Sequence, residues 1–214
     1  MTGIKFGRTS LVAVAAIALA AAPAAAQVCA GYPNAPGQTS LGLRASFPTG
    51  GTTFGVEASR NWMNPMGAFV NLNLMMPEAE GADNVAIFGG GLSYEIGSFV
   101  PAIPAWLSVC PIAAATFSSQ NEVTTLSIPV GVGFGMTLAT TPTFSIHPFL
   151  IPQFVLTRFS VDNVSTSDNN FGFGGGALIK FRGVYGGITL GKILVDGSDT
   201  DITFSGGLTF PASM

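Results

Sequence analysis

The sequence predicts an all-β protein, a transmembrane up-and-down antiparallel β-barrel of about ten strands, with eight strands as the alternative. Segments of alternating apolar and small or polar residues recur from residue 39 to residue 210. Only 9% of the residues are charged, whereas an ordinary soluble domain has about 25%. Beyond the N-terminus there is no uninterrupted apolar run of about 18 residues, which excludes helical membrane spans. Apolar surface is therefore expected to face something other than water.

The clearest alternating segment runs from Leu126 to Leu138 and reads LSIPVGVGFGMTL. Every second residue is apolar, as in Val130, Val132 and Phe134, and the residues between them include Gly131, Gly133 and Gly135. Successive side chains of a strand point to opposite faces. The thirteen residues contain no charge, so the apolar face is expected to contact lipid. A strand needs about 9–11 residues to cross a bilayer, and this segment is long enough.

Nine further segments follow the same rule, and two prolines in one of them, Pro148 and Pro152, predict bulges or a bend. The ten predicted strands are Thr39–Phe47, 54–59, Gly67–Met75, Ala86–Ile96, Leu107–Phe117, about Thr124–Leu138, Ser145–Ser160, Phe171–Phe181, Val184–Leu194 and Thr200–Phe210. An even number lets an antiparallel sheet close with both termini on one side. In lipid the sheet must close, because an open edge would leave backbone polar groups unpaired.

Charge separates the two sets of connections between these strands. Nine of the eleven acidic residues fall in the connections after odd-numbered strands, and Asp168 in the segment Val161–Asn170 is one example. The connections after even-numbered strands are mostly short, such as Arg182-Gly183. Outer-membrane barrels have short periplasmic turns and longer external loops. The sequence therefore predicts an acidic external end.

Residues 1–26 are predicted to be a cleaved signal peptide, and the alternative is a retained anchor helix. Lys5 and Arg8 precede an apolar stretch of twelve residues, and an Ala-x-Ala site ends at Ala26. Lipoprotein processing at Cys29 fits poorly, since Val28 precedes it. Residues 27–38 are predicted to be an extended periplasmic lead-in, and residues 39–214 the barrel. Removing the leader leaves six basic and eleven acidic residues, a net charge of −5. Nucleic acid is not expected as a partner, because phosphate binding needs clustered Lys and Arg.

From about Thr39 to Phe210 the chain resembles the small bacterial outer-membrane β-barrel family, the OmpA/OmpX-like barrels. The last predicted strand, with Phe204, Leu208 and Phe210, is similar to the C-terminal strand of that family. The resemblance implies that these residues form the signal read by the barrel-assembly machinery, and that outer-membrane lipids surround the barrel. It also implies an outer-membrane location in a Gram-negative-type bacterium. The family usually ends at the terminal aromatic residue, whereas here Pro211-Ala212-Ser213-Met214 follows.

Long polar side chains lie on the predicted lumen face of several strands. They are Arg44, Glu57, Asn71, Asn73, Glu95, Gln153 and Lys180. One interpretation is a polar conduit or ligand pocket, and the other is a network of ion pairs and hydrogen bonds that fills a narrow barrel. Side chains can fill a barrel of about eight strands, and Arg44 and Glu57 on neighbouring strands are candidates for an ion pair.

The sequence gives little reason to predict an enzyme, a metal site or a cofactor. His147 is the only histidine, and it lacks the His-x-Ser arrangement of outer-membrane lipid A-modifying enzymes, since Pro148 and Phe149 follow it. A His, an acid and a hydroxyl could still meet in space. Asp196, Asp199 and Asp201 share one tight loop, but they lack the bidentate Glu of an EF-hand. A solvated turn is the preferred interpretation.

The two cysteines, Cys29 and Cys110, both fall toward the predicted periplasmic end. The periplasm is oxidising, so we expect a disulfide between them that tethers the lead-in to the base of the barrel.

Taken together, the sequence predicts a non-enzymatic outer-membrane barrel with a structural or surface-interaction role and a lumen filled by side chains. A small channel or transporter for apolar or small ligands is the main alternative, and a soluble lipocalin-like binder is another. The surface partner of the acidic loops is not identifiable from the sequence.

Overall fold

A computed structural model describes residues 27–62, 65–79, 82–96, 99–100, 102–104, 106–120, 122–141, 143–161, 164–195 and 199–211. The predicted leader with its cleavage site near Ala26 lies outside these residues, as do Ala212–Met214 and Asp196 of the acidic loop.

The described chain is built from strands, with one short 3₁₀ helix (η1) before them. η1 is Gln27–Ala30, and the strands are β1 Gln38–Phe47, β2 Gly51–Asn61, β3 Met66–Pro77, β4 Val85–Tyr94, β5 Leu107–Gln120, β6 Val123–Met136, β7 Leu138–Thr141, β8 Phe144–Val161, β9 Val164–Phe181, β10 Val184–Ile193 and β11 Asp201–Pro211. Among the described residues, no helix is long and apolar enough to cross a membrane.

Antiparallel pairing closes the sheet into a barrel. Each strand pairs with its neighbours in sequence, and β1 also pairs with β11, from Gln38 opposite Pro211 to Phe47 opposite Ile202. β6 and β7 both pair with β8 and are separated only at Thr137, so together they occupy one position in the wall. The wall therefore has ten positions, and the predicted ten-strand up-and-down barrel is confirmed.

The two faces of the wall differ as the alternation predicts. Side chains of one parity point outward and are exposed although they are large and apolar, and Leu43 (68% exposed) and Val70 (60% exposed) are the extreme cases along the middle of their strands. In β6, Val132 and Phe134 point outward, whereas Gly133 and Gly135 point inward and are buried.

The ends of the barrel differ in their connections. The turn end contains the start of β1, the β9–β10 turn and the β2–β3 and β4–β5 connections, and the loop end lies opposite. The predicted loop Val161–Asn170 is wrong, because β9 begins at Val164 and pairs with β8 up to the last residue, Val161. Only two residues join β5 to β6, and only two join β8 to β9. Long strands rather than long loops therefore make up most of the loop end, because backbone pairing continues into polar segments such as the first residues of β9.

The predicted bulges at Pro148 and Pro152 are also wrong. The register between β8 and β9 is constant through both prolines, with Pro148 opposite Ala177 and Pro152 opposite Phe173. The irregularity lies instead in β7, between Ala139 and Thr141. Proline lacks a backbone N–H donor, and the pairing of β8 with β6 is interrupted between Gln153 and Leu150 without a change of register.

The sequence predicts an extended periplasmic lead-in over residues 27–38, but residues 27–37 are neither fully extended nor outside the barrel. They begin with η1 and lie inside the barrel at the turn end, where Val28 and Cys29 are fully buried. The segment contacts β5, β6 and β8 on one side of the wall, and Asn34 bonds Ser59 of β2 on another. We call residues 27–37 the plug segment.

Candidate functional site

The plug segment lies in the lumen at the turn end and is the centre of the candidate site. Its first residues lie against a strip of β6 that has no side chains. A Cβ atom at Gly133 would collide with the carbonyl oxygen of Cys29, and one at Gly135 would lie 2.7 Å from the amide nitrogen of Cys29. Glycine allows one backbone to approach another this closely. The bare face of β6 is therefore the surface on which the plug segment docks.

Hydrogen bonds fix the second half of the plug segment to other parts of the wall. Asn34 Nδ2 donates to Ser59 Oγ at 2.6 Å, and Asn61 Nδ2 donates to the carbonyl oxygen of Asn34 at 3.3 Å. From β9, Lys180 Nζ donates to the carbonyl oxygen of Pro33 at 3.2 Å and to Gln38 Oε1 at 2.7 Å. The segment is thus held by β2, β6 and β9 together, so it spans the lumen.

A disulfide joins Cys29 of the plug segment to Cys110 of β5, with the two Cα atoms 5.8 Å apart. This is the pair that the sequence predicts, but it anchors the segment inside the barrel rather than beside it. The buried carboxylate of Glu95 accepts a hydrogen bond from the Val109 amide at 3.1 Å, and its Oε2 lies 3.4 Å from Cys110 Sγ. Three potential ligand atoms therefore meet at Cys29, Glu95 and Cys110. Metal binding by cysteine requires thiolates, so the disulfide form offers no such site.

A cluster of polar side chains from β1, β2, β3 and β10 lies in the central part of the lumen, and we call it the central group. Tyr185 of β10 donates a hydrogen bond from its hydroxyl to Glu57 Oε1 at 3.0 Å. Asn73 Nδ2 donates to Asn71 Oδ1 at 2.8 Å. Among the described residues, the buried Nε atom of Arg44 has no hydrogen-bond partner, and neither has Asn73 Oδ1.

Arg44 and Glu57 do not form the expected direct ion pair, although their charges lie close enough to interact. Among the described residues, Glu57 accepts its hydrogen bond from Tyr185 and has no ion-pair partner. Gly42 has no side chain, and the Tyr185 hydroxyl occupies the space that a Cβ atom there would need, so Tyr185 reaches Glu57 from the far side of the seam between β1 and β11.

The seven polar residues predicted to form one lumen network therefore lie in separate places. Arg44, Glu57, Asn71 and Asn73 share the central group, whereas Glu95 and Lys180 contact the plug region. Gln153 of β8 lies between Gly131 and Gly172 in the pairing register. The predicted assembly residues, Phe204, Leu208 and Phe210, are exposed on the outer face of β11.

His147 is buried at the turn end and lies between two hydroxyls. Its Nδ1 is 3.1 Å from Thr137 Oγ1, and its Nε2 is 2.8 Å from Ser145 Oγ. A catalytic Ser–His pair needs a third group, usually a carboxylate, to orient the imidazole. In the described part of the chain, a threonine hydroxyl occupies that place. The arrangement fits a structural histidine whose two nitrogens are both satisfied.

Sequence reasoning missed Tyr32 of the plug segment and Tyr185 of β10, which lie between the plug segment and the central group. Tyr32 packs against Phe69 of β3 with ring centroids 5.0 Å apart. Burial raises the pKa of the Tyr32 phenol, the nearby Glu57 charge raises it further, and Arg44 opposes the shift. The signal that could have found the plug segment is the glycine face of β6, which leaves a volume that some other part of the chain must fill.

Comparison with known proteins gives fold-level similarity only. No protein-family model matches the chain, and no curated protein matches it. Solved structures similar to it include the N-terminal β-barrel domain of Pseudomonas aeruginosa OprF, with 6% identity, a TM-score of 0.39 and coverage of 82% of this chain and 98% of that one. The KdgM porin in complex with disordered oligogalacturonate has 9% identity and a TM-score of 0.43, with coverage of 80% and 98%. The outer membrane enzyme PagL has 16% identity and a TM-score of 0.34, with coverage of 81% and 99%.

The glycine strip can be tested by adding one methyl group. We expect Gly133→Ala to lower the free energy of unfolding in detergent by about 1–3 kcal/mol, because the plug segment must shift away from β6. Gly174→Ala is the control, since a Cβ atom there meets nothing within 4 Å. It should change the free energy of unfolding by less than about 0.5 kcal/mol. Equal effects of the two variants in denaturant titrations would contradict the docking contact.

The hydrogen bond from Tyr185 to Glu57 gives a second test. We expect Tyr185→Phe to lower the free energy of unfolding by about 1–3 kcal/mol, because it leaves a half-buried carboxyl group without its donor. Tyr94→Phe is the matched control, since Tyr94 is exposed on the outer face. The double variant Tyr185→Phe/Glu57→Gln should lower the free energy of unfolding by much less than the sum of the two single effects. Strict additivity in this double-mutant cycle would show that the pair does not interact.

Proposed function

We propose that this chain spans the outer membrane of a Gram-negative-type bacterium as a β-barrel that is closed at its turn end, and that it has a non-enzymatic structural or surface-interaction role. The observation that carries the membrane location is the outer face, where apolar side chains such as Leu43, Val70 and Phe88 are about half exposed or more. Soluble proteins rarely leave so large a continuous apolar surface in water. This also argues against the soluble lipocalin-like alternative.

The plug segment is the argument for a closed rather than an open barrel. It is tied to the wall by the Cys29–Cys110 disulfide and by the hydrogen bonds of Lys180 and Asn34. Removing a disulfide from a small domain typically costs about 2–5 kcal/mol, so the segment is held firmly. A solute that entered from the loop end would meet this segment before it reached the turn end.

An interaction role is supported by the hairpin of β8 and β9 at the loop end. Within the described part of the chain, residues 164–170 of β9 pair with β8 alone, because the pairing of β9 with β10 ends at Gly172. All but the last of these seven residues are exposed. An unpaired strand edge can bind a partner by adding a strand to the sheet. We propose this edge as the surface through which the protein would contact a partner.

The channel alternative keeps one specific observation in its favour. Gly174 and Gly191 face each other across β9 and β10, and neither has an atom within 4 Å of the position of a Cβ. Among the described residues, the lumen beside these two glycines is therefore open. This space could admit a small solute, but passage would need displacement of the plug segment.

Membrane insertion can be tested with one charge. We expect Val132→Arg to weaken folding into liposomes by about 2–4 kcal/mol, because it places a cation on the lipid-facing side near the middle of the barrel. Val164→Arg is the matched control, since Val164 is 70% exposed on the protruding hairpin. If both variants fold into liposomes as well as the wild type, the outer face does not contact lipid.

The closed lumen can be tested in planar bilayers. We expect the folded wild-type protein to show no discrete conductance steps, because the plug segment blocks the turn end. A variant that lacks residues 27–36 and retains Gly37 and Gln38 should show such steps. Reproducible steps from the wild-type protein would contradict the closed barrel and favour the channel alternative.

A further inference from the structure

The outer face of β1–β4 is not uniformly convex but carries a groove, which we call the outer groove. It consists of a larger depression of about 800 Å³ and a smaller one of about 170 Å³, and both are lined by Ala58 and Val70. The larger part is bordered by outward-facing Leu43, Val56 and Phe88, and its lining also includes Glu57 and Asn71, which belong to the central group of the lumen. The larger depression alone falls in the range of about 300–1,000 Å³ that is typical of small-molecule sites.

The groove follows from the placement of small residues on the outer face. In the pairing register, Ala58 lies between Leu41 and Val70, and Ala68 lies opposite Arg60. Alanine fills less space than its leucine and valine neighbours, so the row nearest the turn end is low and its borders are high. The groove therefore begins at the turn end and runs toward the middle of the barrel.

Arg60 lies at the turn-end limit of this groove and lines its smaller part. Its side chain is exposed, and it forms no hydrogen bond or ion pair with the described residues. Trp62, two residues further along the chain, is 42% exposed. Tryptophan is enriched where a membrane meets water, and arginine near the end of a span extends its charge to that boundary. Arg60 and Trp62 therefore both indicate that the membrane–water interface lies at this level of the barrel.

We propose that the outer groove binds a phospholipid, with its phosphate on the Arg60 guanidinium and an acyl chain along Ala58 and the Leu43–Val56 region. This inference rests on the membrane location proposed above and deepens it. A phospholipid in the leaflet at the turn end has its phosphate at the interface and its chains directed to the midplane. The outer groove has the same arrangement, with the charge of Arg60 at the turn end and the apolar lining toward the middle of the barrel.

The chemistry of the groove favours this occupant over a second copy of the chain. In a symmetric dimer formed through this face, the two copies would bring their own unpaired Arg60 side chains to the interface, and like charges repel. A purely apolar partner would leave the arginine without a counterion. Arginine matches phosphate geometry through paired N–H donors, and an acyl chain needs no hydrogen bonds from the wall.

Native mass spectrometry of the folded protein in detergent can test the site. The probes are palmitoyl-oleoyl phosphatidylglycerol and the diacylglycerol that carries the same chains but no phosphate. We expect Arg60→Gln to bind the phosphatidylglycerol roughly tenfold more weakly, as the loss of a hydrogen bond to a charged group predicts. Its binding of the diacylglycerol should be unchanged. Arg182→Gln is the matched control, since Arg182 is an exposed arginine at the same end, outside the groove, and it should behave as the wild type.

A second variant tests the apolar part without changing charge. Ala58→Phe fills the groove and should weaken the binding of both lipids. Equal phosphatidylglycerol binding by Arg60→Gln and Arg182→Gln would overturn the inference. So would an Ala58→Phe variant that dissociates a dimer and leaves lipid binding intact.

Flotation with liposomes separates this inference from the proposed function. A wild-type protein that floats but shows no difference between the two arginine variants would overturn the lipid site alone. A wild-type protein that does not float would overturn the membrane location, and the lipid site with it.

Discussion

The position of the plug segment depends on one steric constraint, the absence of side chains at Gly133 and Gly135 on the inner face of β6. Gly133 and Gly135 let the backbone of Cys29 lie directly on the sheet. A larger side chain at either position would push the plug segment into the lumen and displace Cys29 from Cys110. Three further contacts depend on this position of the plug segment. They are the disulfide, the hydrogen bonds of Lys180 and the packing of Tyr32 on Phe69. Several unrelated contacts thus share one geometric condition.

The barrel could be predicted from the sequence because its signal is local and repeated. The alternation that puts Val132 outward and Gly133 inward is visible in the sequence of one strand, and a closed sheet follows from the need to pair every edge. The pairing of Cys29 with Cys110 could be expected from the compartment and from the position of each residue. By contrast, the position of the plug segment depends on volumes that only the assembled wall creates.

The lumen shows the limit of reasoning from parity. The alternation of side chains along each strand predicts that Arg44, Glu57 and Lys180 face the lumen, but it does not predict which of them contact one another. The partner of Glu57 is set by a gap at Gly42, because the phenol of Tyr185 enters there from a strand that is distant in sequence. The length of β9 was missed for a different reason. Its polar residues from Val164 to Asn170 resemble a loop in composition, yet the ladder with β8 holds them extended.

The position of the plug segment has a topological consequence. The segment is covalently continuous with β1 through Gly37, whose amide bonds the Asn61 carbonyl at 2.9 Å, and β1 forms the seam with β11 that completes the cylinder. The first part of the described chain is therefore enclosed by the last strand. The plug segment precedes β1, and β1 pairs with β11 to close the barrel. The wall therefore closes around a segment of its own chain. A chain in which β1 and β11 paired first would have to insert residues 27–37 into the finished barrel afterwards.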